Sequence, residues 1–237
     1  MRLTAFLRVS WALLSVFVVE SVVFGLSVLP AVLFWEWHFR RELPSAPLRI
    51  LFVSMAFIPA YLLFTLALIV LSGLATRVTG WRTPQGAELD IDELSWPLLD
   101  WARYMVSIHL VRIFAGTLFR ATPIWSFYMR LNGARMGKRV FVNSLDVTDH
   151  NLLDFGDDVV LGGSTHLSGH TVEGGVLKTA PVRLGHGVTV GVGSVVGIGV
   201  VAGDGCQIGA LSLVPKFEEL EAGAVYVGCP VRKLDSA

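Results

Sequence analysis

The chain has 237 residues, a length that suits one or two domains, and 53% of them are hydrophobic against 16% charged. That balance is too apolar for an ordinary soluble domain and points to a membrane protein. Nineteen basic side chains offset nineteen acidic ones, which excludes a global electrostatic pull towards nucleic acid or an acidic polymer.

Residues 9–35 form a run of 27 with a single ionisable side chain, Glu20, and residues 50–76 form another run of 27 with none. About 20 apolar residues cross the hydrocarbon core, so each run is long enough to span it with tilt. The first run is too long for a signal-peptide core and lacks a small-residue cleavage site, so it is expected to be retained. Trp35 and Trp37, and less strongly Tyr61, are expected interface anchors. The short polar connection WHFRRELPSAP carries Pro44 and Pro47 as expected helix breakers. Two spans with a short connection predict a transmembrane α-helical hairpin over residues 1–79, with both chain ends on one side.

Arg2 and Arg8 precede the first span, Arg40, Arg41 and Arg49 lie between the spans, and Arg77 and Arg82 follow the second. The positive-inside count is therefore balanced, and a hairpin dipping into one leaflet stays open beside a full crossing. Glu20 sits near mid-span. It is expected to be protonated or hydrogen-bonded to a neighbouring helix, with a functional role as the alternative.

Residues 80–92 read as a polar linker. Over 94–119 apolar residues return at helical spacing, with Leu98, Trp101, Met105, Ile108 and Val111 on one broad face and Asp100, Arg103, His109 and Arg112 interspersed. Trp96, Trp101 and Tyr104 suit a helix lying in the headgroup layer. The alternative is a helix packed on the C-terminal part. Residues 80–130 are therefore expected to be a linker and an interfacial helix, with His109 an ordinary polar residue on it.

From residue 131 the pattern changes. Leu184, Val190, Val196, Ala202, Ile208 and Val214 recur every six residues. The next position holds Gly185, Gly191, Gly197, Gly203, Gly209 and Pro215. The fifth position holds the small residues Val188, Ser194, Val200, Cys206 and Ser212. Phe155-Gly156 with Val159, Leu161-Gly162 with Thr165, and Met136-Gly137 with Val140 extend the series upstream. Period six fits neither a helix nor a long strand. It is the signature of a parallel β-helix whose rungs stack at ~4.8 Å. The aliphatic position builds the core, and the glycine position turns the corner, where a Cβ would clash or a positive φ is needed. Cys206 and Cys229 are expected to be free thiols in a reducing compartment.

The repeat breaks at SGHTVEGGVLKTAP, residues 168–181, which is expected to leave the coil as a loop carrying His170, Glu173 and Lys178. Functional groups on a loop held by a rigid scaffold are a common arrangement. The repeats, this histidine-bearing break and the ending FEELEAGAVYVGCPVRKL resemble the left-handed β-helix, or hexapeptide-repeat, acyltransferases. Gly228-Cys229-Pro230-Val231-Arg232 is similar to that family's glycine-proline cap, with Cys229 and Val231 departing from its usual Asn and Ala. A narrower likeness joins YMRLNGARMGKRVFVNSLDVTD and LSGHTVEGGVLKTAPVRLG to the membrane-bound C-terminal region of poly-lysine-type peptide synthetases, where three such coils stand in tandem.

The resemblance implies a homotrimer of single coils, an acyl-CoA or acetyl-CoA donor held between neighbouring coils, and a histidine general base. It implies no metal. A neutral imidazole suits the base role. His170 is the first candidate for it, with His166 as partner and His186 as an outward position. Asp149 could orient a histidine, although capping a turn is the expected role; Glu173 could orient His170 or meet an amine. Lys178, Lys216 and Arg232 could meet phosphates of the donor, with Gly209 and Ala210 beside it. The acceptor is a small molecule, a lipid-linked molecule or a peptide, with membrane lipid as a further partner and no nucleic acid. A cytosolic-type thioester places the coil on the cytoplasmic side of a bacterial inner membrane. Two other readings stand beside this one. The first is a γ-carbonic-anhydrase-like zinc enzyme built on His166, His170 and His186. The second is a non-catalytic assembly module.

Overall fold

The computed structural model describes residues 3–41 and 45–234, so the expected flank Arg2 and the expected breaker Pro44 lie outside the described residues. Helix α1 (Leu3–Phe39) and helix α2 (Ala46–Thr79) pack as an antiparallel pair. Both are long and apolar enough to cross a membrane. Two boundaries differ from expectation. α1 runs on through the tryptophans into the connection, and Pro47 sits in the first turn of α2, where its missing N–H costs nothing. The small side chains Ala12, Ala56 and Ala60 are buried in the helix packing, while many long aliphatic ones are exposed. Ser107 Oγ donates to Glu20 Oε1 at 2.5 Å, so the mid-helix carboxyl joins α1 to the helix that follows α2 rather than standing alone.

The segment after α2 is not merely a linker. Trp81 and Thr83 are buried, and strand β1 (Glu88–Asp90) belongs to a sheet described below. Helix α3 (Trp96–Val111) follows. It ends in a wide π turn over Arg112–Gly116 and a short turn, α4 (Thr117–Phe119). A further helix, α5 (Pro123–Leu131), leads into the coil. Tyr104 is not the expected interface anchor: it is 1% exposed, and Leu98, Leu99, Ile108 and Val111 bury one face of α3 with it. α3 packs on both α1 and α2. The Arg103 guanidinium lies between Trp81 and Trp96, with Asp100 at 3.2 Å, so its charge is paired inside the packing.

The C-terminal half is a coil of three parallel sheets. One face stacks β2 (Arg135–Met136), β4 (Leu153–Phe155), β9 (Val182–Leu184), β12 (Val201–Ala202) and β15 (Glu219–Leu220). The second stacks β3 (Phe141–Val142), β5 (Val160–Leu161), β10 (Thr189–Val190), β13 (Gln207–Ile208) and β16 (Val225–Val227), closed by antiparallel β17 (Arg232–Lys233). The third stacks β6 (His166–Leu167), β11 (Val195–Val196) and β14 (Leu213–Val214). Thr189 pairs with Gln207, a step of 18 residues, so three six-residue repeats make one rung. The aliphatic position of every repeat points inward: Leu184, Val190, Val196, Ala202, Ile208 and Val214 are buried, with Val188, Ser194, Val200, Cys206 and Ser212 between them.

The corner is more specific than the repeat suggested. The repeated glycine is there for space: a Cβ on Gly191 would sit 2.4 Å from Ala210 N of the next rung. Positive φ falls instead two residues later, at Gly193, Gly199 and Gly205, and equally at Ser164, Leu211 and Phe217. That corner accepts a strained L-residue, whereas the other accepts almost no side chain.

The break is also ordered. β7 (His170–Glu173) and β8 (Val176–Thr179) form a hairpin turned by Gly174-Gly175, and β1 pairs antiparallel with β8. The expected loop is therefore a three-stranded antiparallel sheet. It is stitched to the segment after α2 because Ala87 and Thr179 exchange bonds and Thr179 Oγ1 donates to Pro84 O at 2.6 Å. Across the break the rung step is 29 (Val160 to Thr189) instead of 18, an insertion of 11 residues.

Candidate active site

The first rung carries an irregularity that builds the site. Phe141 pairs with Val160, a step of 19, and Val147 bridges Leu167, a step of 20, so the chain has residues to spare before β4. They are taken up by a kink at Asp149 (φ 52°, ψ 48°) and a 3-10 turn over His150–Leu152. Asp and Asn tolerate that left-handed region better than most residues. The kink turns the Asp149 side chain into the fold, where it is 0% exposed.

A buried carboxylate is costly unless its lone pairs are filled. Here they are. His170 Nδ1 donates to Asp149 Oδ2 at 2.6 Å, joined there by Ser168 Oγ at 3.0 Å, Gly169 N–H at 3.1 Å and Thr148 Oγ1 at 3.1 Å. Thr83 Oγ1 donates to the other oxygen at 2.6 Å. Burial alone would push the Asp149 carboxyl up; the bond and charge of His170, with Thr83 and Ser168, hold it below its ordinary value. The expected role of Asp149 as a turn cap is thus corrected: it bonds His170 of its own chain.

With Nδ1–H committed to Asp149, the neutral ring keeps its lone pair on Nε2. His170 opens strand β7 and is backbone-paired to Thr179. The Trp101 ring stands edge-on to it, centroids 5.0 Å apart at 67°. The imidazole is therefore held in place but partly open to solvent, the arrangement a general base needs. His150, next to Asp149, is different. It is buried, its Nε2–H donates to Val147 O at 3.2 Å, and burial pushes its pKa down to about 4. It packs edge-on to Tyr128 as a neutral side chain.

The remaining candidates lie elsewhere. Glu173 is at the far end of β7, ion-paired with Lys216, and does not orient His170. Lys178 faces Glu88 at 4.0 Å. His166 is exposed on β6. His186 is not simply solvated: its Nδ1 accepts the Asp157 N–H at 2.9 Å, a cap between rungs. The Gly209 N–H is spent on Tyr226 O in the ladder, Ala210 is on an exposed turn, and Arg232 is on exposed β17. Among the described residues, no three His, Cys, Asp or Glu side chains group as a metal would require. Cys206 and Cys229 are both free.

Thr83, Ser168 and Trp101 complete the site and carry no chemical signature of their own in the sequence. Thr83 is 66 residues from the carboxylate it bonds, beyond the reach of any local pattern. The hairpin did have a local sign, since Gly174-Gly175 between VE and VL is a two-residue turn signal.

No protein-family model matches the chain. Residues amounting to 47% of it are similar to the delta-poly-L-ornithine synthetase of Acinetobacter baumannii, 28% identical over 111 residues, and span 8% of that protein's length. The coil is similar to a hexapeptide-repeat acetyltransferase of Vibrio cholerae solved with acetyl coenzyme A (23% identity, 44% of this chain and 60% of that one, TM-score 0.40). It is also similar to a maltose O-acetyltransferase of Clostridium difficile (19%, 59% and 88%, TM-score 0.43). The chain is thus similar, over about half of its length, to a small part of that synthetase.

Proposed function

We propose that the protein is a membrane-anchored acyltransferase that moves an acyl group from a thioester donor, acyl-CoA or acetyl-CoA, to a hydroxyl or amine. The observation that carries this reading is the Asp149–His170 pair: a fully buried carboxylate, filled on both oxygens, fixing an imidazole whose Nε2 is free. In the proposed reaction Nε2 takes the proton of the acceptor O–H or N–H as that atom attacks the thioester carbonyl. The acyl–oxygen or acyl–nitrogen bond forms, the C–S bond breaks, and the departing thiolate receives the proton from the imidazolium. Asp149 stabilises that cation and holds the ring. Backbone N–H groups of a neighbouring rung would meet the oxyanion.

The same reading includes a left-handed sense for the coil, division of the chain at 1–79, 80–130 and 131–237, and a homotrimer with donors between coils. α1 and α2 anchor it in a bacterial cytoplasmic membrane, coil inside, where the acceptor is lipid-linked, a peptide or a small molecule. Purified protein, offered a panel of acyl-CoAs with candidate acceptors, should release thiol only when both are present, and His170→Ala should not. Acceptor-dependent release that survives His170→Ala unchanged would sink the assignment of the base.

A further inference from the structure

A cavity of about 780 Å³ lies where α2, the segment after it, the end of α5 and the first rung meet. That volume is in the range of small-molecule sites. Three arginines line it: Arg77, Arg82 and Arg135. Its one carboxylate, Asp100, is already paired with Arg103 at 3.2 Å. Arg82 has no ion-pair partner among the described residues, and Arg135 reaches Asp154 only at 3.9 Å. Arg77 uses Nε and Nη2 on the carbonyls of Leu131 and Arg130, at 2.6 and 3.0 Å, which fixes its guanidinium at the wall and leaves Nη1 over. The cavity therefore carries unneutralised positive charge in a fork geometry suited to phosphate oxygens.

Its depth selects the kind of anion. The uninterrupted apolar run of α2 stops at Thr76, Arg77 follows at once, and Val78 on the same turn is 87% exposed. The arginines thus begin where the apolar helix surface ends. A ligand with a phosphate in the cavity could lay an acyl or prenyl tail along the outward face of α2. The wall also touches the candidate active site. Asn151 is bonded to both the N–H and the carbonyl of Thr83, and Thr83 holds Asp149.

We infer that this cavity binds the phosphate of a membrane lipid, held against the Thr83–Asn151 wall that backs the candidate active site. The inference rests on the membrane reading above; lipid binding itself does not require acyl transfer. Phosphatidic acid and diacylglycerol with the same chains differ only in the phosphate, which makes them suitable probes for the full-length protein in neutral detergent. Phosphatidic acid should bind at least about tenfold more tightly, and R82Q/R135Q should remove that preference, since each charge-assisted contact is worth roughly that factor. Both side chains lie at the surface, and Arg183→Gln on the outer coil should leave the preference intact. Equal binding of the two lipids, or a preference untouched by R82Q/R135Q, would overturn the inference. Full displacement by millimolar inorganic phosphate would also overturn it, by making the site one for soluble phosphate. Thiol release from acyl-CoA, measured separately on the same samples, reports on the acyltransferase reading whatever the lipid result.

Discussion

Asp149 Oδ2 and His170 Nδ1 lie 2.6 Å apart although 21 residues separate them, because the first rung kinks at one and the coil breaks at the other. The two irregularities are stacked, one rung above the next, and together place a buried carboxylate against an imidazole at the edge of the coil. Removing the ring should cost what losing a general base usually costs. If His170 is the proposed base, His170→Ala is expected to slow acyl transfer by roughly 10²–10⁴-fold while leaving the fold intact. Asp149→Asn should fall in the same range and act on kcat more than on KM, since it frees the ring to adopt the other tautomer. His166→Ala and His186→Ala should change the rate little. Loss of activity in His186→Ala alone would move the site elsewhere.

How much of this was legible follows from the range of each interaction. The coil is written locally: an inward aliphatic residue every six positions, and a glycine after it where Gly191 meets the next rung. The positive-φ corner was missed because Leu211 and Phe217 occupy it as well as glycines, so composition does not mark it. Histidine at the break was visible as a departure from the repeat. Asp149 was legible only as one of two readings, turn cap or histidine partner, since the direction of its side chain depends on one kinked residue. β1 has three residues and a partner about ninety positions away, so its pairing with β8 had no local trace.

Thr83 tests the long-range half of the site. Thr83→Val keeps the shape of the side chain and removes the 2.6 Å bond to Asp149 Oδ1. The buried carboxylate is then left one donor short, at a cost of about 1–3 kcal/mol. Thermal unfolding should shift down accordingly. Thr83→Ser should restore most of the loss; failure of serine to do so would show that packing, not the hydroxyl, is what matters.

His150 gives the fold a pH dependence of definite sign. Its pKa falls from 6.5 in an exposed setting to about 4 in the fold, so the unfolded chain takes up a proton first as pH drops. Stability is therefore complete above the unfolded value and is lost as pH falls through that window, by ~3 kcal/mol in all. Asp149, held below its ordinary value, adds a further loss at more acid pH. His150→Gln keeps a donor for the Val147 carbonyl and does not titrate there. Unfolding midpoints at pH 7 and pH 4.5 should lie closer together in that variant than in the wild type.

The Glu173–Lys216 pair fastens the hairpin tip to the coil. Both side chains are substantially exposed, so the pair is worth about 0–1 kcal/mol. If Lys216 serves only there, Lys216→Ala and Glu173→Gln should act alike, each changing the donor KM by less than about fivefold. A much larger KM increase for Lys216→Ala alone would mean that the lysine meets the donor instead.

If α1 and α2 are membrane helices, as proposed, their length suits a full crossing. α1 has 37 residues and α2 has 34, which at 1.5 Å per residue is about 50 Å or more each. A hydrocarbon core is about 30 Å thick, and a hairpin confined to one leaflet would have to lie almost flat. Packing says where the ends go. Arg103 of α3 donates to Ser15, a third of the way along α1, and Arg77 at the end of α2 donates to carbonyls at the end of α5, which leads into the coil. In a Cys229→Ser background, an impermeant thiol reagent should reach cysteines placed at Thr4 and Arg82 from one face of the membrane and at Ser45 from the other. Labelling of all three from the same face would mean that the hairpin turns back within one leaflet, and the two helices would then have to be bent or lifted out of the bilayer to fit.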